Sequence, residues 1–194
     1  MGFKAGHTPV SKGKTTTSDP IRDPKKVEEI KALLSDSPRD LALWTVALNT
    51  ALRASDLVNL TWDDTQDDGR TITLTLLEGK TKKRRVIPLN PSASSVLRAW
   101  RGKCESTHIY SGQRGQMSIE GWSRLVKGWC KAVGLEGNFS SHTARKTFVR
   151  LQHDVHGTSL TTLMHMLNHA TPRQTAVYMG KMDDDVLNAY AKCI

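Results

Sequence analysis

At four places in its 194 residues the chain sets a helix-capping side chain directly before a proline and follows it with helically spaced apolar residues: Asp23-Pro24, Ser37-Pro38, Asn90-Pro91 and Thr171-Pro172. Proline holds φ at about −65° and has no N–H to donate, so it suits the first turn of a helix and disrupts any later one. Each pair therefore marks a helix start. The apolar spacing that follows agrees at all four. Val27, Ile30, Leu33 and Leu34 follow the first pair, and Leu41, Leu43, Trp44, Val46, Ala47 and Leu48 the second. Val96, Leu97 and Trp100 follow the third, and Val177 and Tyr178 the fourth, with a stop at Gly180.

Further helices are expected between and beyond these. A short one follows Arg53, capped by Ser55 and carrying Leu57, Val58 and Leu60. Another starts at Ser118 and spaces Trp122, Leu125, Val126, Trp129 and Val133 for burial. Ser141 is expected to cap a helix through Phe148, Leu151 and Val155 that stops at Gly157. Leu160–Leu167 forms one more, and Asp183 starts a last one through Val186, Leu187 and Tyr190. One stretch obeys a different rule. Residues 71–76 (TITLTL) alternate with period two and are rich in β-branched side chains, which predicts a strand. Gly79 breaks it, and Arg85–Leu89 reads as the returning strand. The turn between them is the basic run Lys80-Thr81-Lys82-Lys83-Arg84-Arg85. Asp63-Asp64 and Asp67-Asp68-Gly69 read as turns. The fold class is thus mainly α with a small antiparallel β-sheet (α+β). Residues 1–22 are polar and read as a flexible basic tail or linker stub, with one domain over 23–194.

Charge narrows the function. The formal net charge is +9 and the pI about 9.6. Such a chain attracts polyanions, nucleic acid first and an anionic membrane surface second. No run approaches the ~18 apolar residues of a membrane span, and the first residues lack the apolar core of a secretory signal. Cys104, Cys130 and Cys193 are too far apart for a zinc finger and read as reduced thiols.

Four places hold polar residues that their surroundings do not explain. Arg53 lies at a break between two apolar helices, where it either snorkels to solvent or turns its guanidinium into a cleft. The Lys80–Arg85 run either lies along DNA phosphates or is a solvated edge. His142 and Arg145 form H-x-x-R at a helix start, two cationic groups on one face that an anion between them would reconcile. Leu167-Asn168-His169 is followed nine residues on by Tyr178. His153/His156 and His165/His169 have metal-like spacings, but no Glu follows His165 and only Asp154 is a nearby carboxylate, so no metal is expected. No Gly-rich phosphate loop and no G-x-S-x-G occurs.

Arg, a hairpin Lys, H-x-x-R, His and Tyr, in that order, resemble the catalytic domain of tyrosine recombinases, the phage-integrase family. Four phrases carry the resemblance: ALNTALRASDLVNLTWDD, GKTKKRRVIPL, SHTARKTFVRLQHDVHG and LMHMLNHATPRQTAVYMG. They run from about Ala47 to Met179, most of the ordered chain. Asp56 stands where the family has Glu, Lys146 where it often has His, and Asn168 where it has Gly. The family's separate N-terminal DNA-binding domain has no counterpart in the 22 polar residues before the domain, so the chain reads as a catalytic-domain fragment or a short relative.

The resemblance implies a site-specific DNA recombinase or integrase that works by transesterification. Tyr178 is the implied nucleophile, forming a 3′-phosphotyrosyl link and freeing a 5′-hydroxyl. No metal, ATP or other cofactor is implied, because the phosphodiester energy is conserved. A free phenol has a pKa of ~10, so a cationic site suits it. Arg53 and Arg145 are implied to hold the non-bridging oxygens, and Lys80 to be the general acid, with Lys82 and Lys83 as rivals. His142 is implied to assist proton transfer or hold the phosphate, and His169 to hydrogen-bond a non-bridging oxygen. Lys82, Lys83, Arg84, Lys146, Arg150 and Arg173 are the candidate DNA-backbone contacts. The implied partners are double-stranded DNA, further protomers in a tetrameric synapse, and accessory DNA-bending proteins, in the cytoplasm of a prokaryote or its phage and away from membranes. Two other readings stand beside this one: a DNA-binding regulator that keeps the fold, and a type IB topoisomerase-like nicking-closing enzyme.

Overall fold

The computed structural model describes residues 17–112 and 115–179. The prolines of all four pairs open helices: α1 (Pro24–Leu33), α2 (Pro38–Thr50), α4 (Pro91–Arg101) and α8 (Pro172–Met179). Asp23 accepts from the Lys25 N–H and Asn90 from the Ala93 N–H, as N-caps do. Between and after them lie α3 (Ala54–Val58), α5 (Ile119–Ala132), α6 (Thr143–Asp154) and α7 (Leu160–Met166). Ser118 and Ser159 cap α5 and α7 through their hydroxyls. The expected helix from Asp183 lies outside the described residues.

Two caps fall elsewhere than expected. Arg53, not Ser55, is the N-cap of α3, and His142, not Ser141, that of α6. Neither side chain makes a capping bond. A short polar side chain at the right place marks a cap only when its backbone is free to turn there. The Ser141 carbonyl instead accepts from the indole N–H of Trp122, at 3.1 Å.

The sheet is larger than the expected hairpin. β2 (Ile72–Leu77) and β3 (Arg84–Pro88) pair antiparallel, with Leu74 opposite Ile87 and Leu76 opposite Arg85. A third strand, β1 (Thr65–Asp67), pairs with the other edge of β2. It was hidden in the stretch read as turns, because a three-residue polar edge strand has no alternation to betray it. A second hairpin, β4 (Ser111–Gly112) with β5 (Gly115–Gln116), is too short to show any pattern.

Helix α2 runs through the centre, buried along nearly its whole length and packed on α1, α4 and α6. Trp44 from α2 meets Trp122 and Trp129 from α5, with ring centroids 5.7–6.4 Å apart and mostly edge-on. A second, smaller apolar cluster joins Ala51 to Phe148 and Val149 of α6 and to Leu163 and Leu167, with Tyr178 packed at its border. Residues 17–22, the end of the expected tail, lie against this body. Ile21 is buried and its N–H donates to Thr147 Oγ1 at 2.9 Å, and Asp19 and Asn138 bond each other. A single Ile among polar neighbours carries no periodicity, so only the packed structure shows where it goes.

Candidate active site

Arg53 is placed by the way α2 ends. Ala51 closes that helix in the left-handed conformation, φ 49°, a cap that glycine usually supplies. The chain then turns through Leu52 into an extended Arg53 at the start of α3. The guanidinium is drawn inward. Its Nη1 lies 2.7 Å from Glu78 Oε2 as an ion pair and 3.8 Å from Asp56 Oδ2, without an aligned hydrogen bond.

Lys80 sits in the tight turn between β2 and β3. The Glu78 N–H and carbonyl bond Lys83 O and Lys82 N, at 3.0 and 2.9 Å. The Gly79 N–H donates to Asp56 Oδ1 at 3.0 Å, which ties the turn to α3 beside Arg53. Lys80, Lys82, Lys83 and Arg84 are exposed. Arg85 is not. Period-two alternation turns it to the face of Leu76 and Ile87, where it donates to Glu78 Oε1 (3.2 Å), to the Thr50 carbonyl (2.8 Å) and to the Met166 carbonyl. Burial pushes its pKa down, and Glu78 opposes the shift.

Arg145 comes from the first turn of α6 and is only 2% exposed. It donates to the carbonyls of Ala51 and Leu167 and lies 3.1 Å from His169 Nε2. Its guanidinium carbon is 5.4 Å from the centre of the Tyr178 ring. Burial, joined by the charges of Arg53 and Arg85, pushes its pKa down to about 10, against Tyr178. It stays cationic at neutral pH. Its Nε is buried with no hydrogen-bond partner among the described residues. A buried guanidinium N–H without a partner marks a site that an anion would complete.

The turn between α7 and α8 carries His169. Asn168 adopts φ 54°, and the N–H groups of Asn168 and His169 bond the carbonyls of His165 and Met164. That is a Schellman closure, for which Asn is the best substitute for Gly. His169 Nδ1 lies 3.0 Å from the buried Thr175 hydroxyl. Burial, then the charges of Arg145 and Arg53, push its pKa down to about 4, so the ring is neutral. Arg145 can only donate, so Nε2 is the acceptor and Nδ1 carries the proton towards Thr175. The His169 and Tyr178 rings lie 5.3 Å apart.

These pieces converge. Arg53, Lys80, His169 and Tyr178 line one open cleft of about 480 Å³, together with Lys83 and Gln174. Arg145 is not in its wall but touches both His169 and Tyr178 from behind. His142 is exposed at the N-cap of α6 and does not line the cleft. Desolvation of part of its ring, then the positive charges of Arg145 and Lys146, push its pKa down.

The other basic candidates differ in their freedom. Lys82, Lys83, Arg84 and Arg173 are exposed, whereas Lys146 donates to the Ser18 carbonyl at 2.7 Å and Arg150 pairs with Asp154. Among the described residues no group of three or more His, Cys, Asp and Glu could hold a metal, and no helix is long and apolar enough to cross a membrane.

Sequence reasoning passed over Glu78 and the hydroxyl of Thr175, and it placed Arg85 in the cationic run, whereas the fold turns it inward. Glu78 and Arg85 had a signal: the alternation of Ile72, Leu74 and Leu76 continues inward to Glu78, and that of Ile87 to Arg85.

Residues 23–184 match the model of the phage integrase family. The chain is 31% identical over 176 residues to a probable integrase/recombinase, YoeC, of Bacillus subtilis, covering 88% of this chain and 94% of that one. It is also 31% identical over 179 residues to the tyrosine recombinase XerC of Caldanaerobacter subterraneus, covering 86% of this chain but 49% of the relative. Among solved structures, the XerH site-specific recombinase in a post-cleavage complex with its difH substrate superposes with a TM-score of 0.74 at 16% identity, over 89% of this chain and 52% of that one.

Proposed function

The chain belongs to the phage integrase family, as a tyrosine-recombinase catalytic domain, and on that premise we propose that it cleaves and rejoins DNA strands through Tyr178. The observation that carries the reading is the cleft itself. The Tyr178 phenol, the neutral His169 imidazole, the Arg53 guanidinium and the Lys80 side chain line one space, and the Arg145 guanidinium lies directly behind His169 and Tyr178.

In this mechanism the phosphodiester enters between Arg53 and Arg145, whose N–H groups take its non-bridging oxygens. The Tyr178 oxygen attacks phosphorus and the bond to the 5′-oxygen breaks, leaving a 3′-phosphotyrosyl link. Lys80 protonates the departing 5′-oxygen, and His142, at the start of the helix that carries Arg145, assists proton transfer or holds the phosphate. His169 serves the phosphate as a donor once Arg145 Nη2 leaves its Nε2 for a non-bridging oxygen and the imidazole proton moves from Nδ1 to Nε2. The Thr175 hydroxyl accepts from Nδ1 in one tautomer and donates to it in the other, so it supports both. A second DNA end then reverses the step, and neither a metal nor ATP takes part.

Lys82, Lys83, Arg84 and Arg173, with Lys146 and Arg150 on α6, are proposed to track the DNA backbone. Replacing any one true phosphate contact by Ala lowers the slope of log affinity against log salt by about one. Recombination requires several protomers on DNA. A tetrameric synapse, accessory DNA-bending proteins, a contribution of residues 182–194 to assembly, and a prokaryotic or phage host are parts of the same proposal.

The direct test is incubation with a nicked "suicide" duplex, in which the freed 5′-end diffuses away, followed by a denaturing gel. A covalent protein–DNA adduct is expected; a chain that binds the duplex without forming one is a DNA-binding regulator. Relaxation of a single supercoiled plasmid without a partner site would make it a topoisomerase.

A further inference from the structure

The alternation that buries Ile72, Leu74 and Leu76 brings Glu78 to the same inner face, where it is wholly buried. A buried carboxylate is costly unless it is both paired and hydrogen-bonded. Glu78 draws its partners from three separate segments. Arg53 lies 2.7 Å from Oε2, Thr81 Oγ1 donates to Oε2 at 2.6 Å, Asn168 Nδ2 donates to it at 2.8 Å, and Arg85 Nη1 reaches Oε1 at 3.2 Å. Thr81 is the neighbour of Lys80, and Asn168 the neighbour of His169. The backbone of Glu78 closes the same turn through Lys82 and Lys83. Glycine at 168 could make the left-handed turn, but it could not donate to this carboxylate.

We propose that Glu78 is a positioning residue for strand cleavage: its carboxylate holds the Lys80 turn against Arg53 and the His169 turn, so that the acid faces the same phosphodiester as the groups that bind it. The proposal rests on the reading of Lys80 as the general acid. Burial by itself would raise the Glu78 pKa, but Thr81, Arg53 and Asn168 outweigh it and hold the carboxyl at about 2. The anchor is therefore charged at any working pH. Without it the turn keeps its backbone bonds and the Gly79–Asp56 link, but loses the side-chain tie that fixes Thr81 and, through it, Lys80.

The test uses Glu78→Gln, which keeps the shape and removes the charge, and Thr81→Val, which removes one hydroxyl. Cleavage is measured in single turnover at saturating DNA on a nicked duplex, and on a matched duplex with sulfur as the 5′-bridging atom, whose thiolate leaves without an acid. Glu78→Gln is expected to slow the oxygen substrate about 10²-fold, the cost of a catalytic group out of place. DNA affinity changes far less, and the sulfur substrate recovers most of the loss. Thr81→Val loses less and recovers in the same way.

Equal slowing of both substrates, or no slowing of either, overturns the proposal. If Glu78→Gln unfolds, Thr81→Val decides by the same criterion. A wild-type chain that forms no adduct with either duplex overturns the reading of the function, and this proposal with it.

Discussion

In the body of the domain, Trp44, Trp122 and Trp129 meet ring to ring, with Val46, Val126 and Leu43 also buried around α2 and α5. Around the cleft, the elements are instead tied by guanidinium groups. Arg85 joins β3 to α2 and α7, and Arg145 joins α6 to the end of α2 and to the turn before α8. Little apolar material backs this second region, the cluster of Ala51, Phe148, Val149, Leu163 and Leu167. Apolar burial is non-directional and scales with area, so it makes a rigid body from side chains of the right size. Guanidinium bonds are directional and leave donors to spare, so they can hold a site open for an anion. The scaffold and the cleft are thus stable for different reasons and should fail in different ways.

The sharpest separation is Tyr178→Phe. It should abolish the covalent adduct altogether, while thermal unfolding and DNA affinity stay close to wild type, because only a hydroxyl is lost. A persistent adduct would move the nucleophile elsewhere, with Tyr190 the first suspect.

Next in size is Lys80→Ala. The side chain is exposed, so its loss should slow cleavage by about 10²–10⁴-fold, the usual worth of a general acid, and leave stability close to wild type. The 5′-bridging sulfur substrate should restore the rate. Rescue of Lys83→Ala in its place would assign the acid to Lys83.

A pair of truncations compares the two regions directly. Trp122→Ala removes the centre of the aromatic cluster and should cost about 3–5 kcal/mol in denaturant unfolding. Leu163→Ala, in the smaller cluster, should cost about 2–3 kcal/mol. It should also slow cleavage in the protein that remains folded, since Tyr178 packs against that cluster. A Leu163→Ala chain that cleaves at the wild-type rate would show that the cleft does not depend on its apolar backing.

The smallest effect is on pH. The pKa of His169 is pushed from 6.5 in the free side chain down to about 4 in the fold, and that of His142 moves the same way. Between those limits the unfolded chain binds protons that the folded chain refuses, so stability falls as pH falls through the window. Unfolding midpoints at about pH 7.5 and about pH 5.5 should therefore differ, and His169→Asn should narrow the difference.

Cap–proline pairs, an alternating strand and the order Arg53, Lys80, His142, Arg145, His169, Tyr178 are local features, and the sequence by itself determined the elements that carry them. Proline constrains its own φ wherever it stands, so α1, α2, α4 and α8 begin at the four prolines that a capping residue precedes and an apolar helical spacing follows. Period two likewise sets which face of β2 is buried, without reference to anything distant. The tertiary structure alone decided what depends on remote partners. Strand β1 exists because β2 offers it an edge, and Ile21 is buried because α6 passes beneath it. Arg85 reads as part of a cationic turn until Thr50, Glu78 and Met166, from 7 to 81 residues away, surround it. Glu78 is one acid in a basic run until the fold brings Arg53 and Asn168 to it across 25 and 90 residues. A charge alone in a sequence is a solvated charge. Only packing removes its water, and only then must its partners be counted.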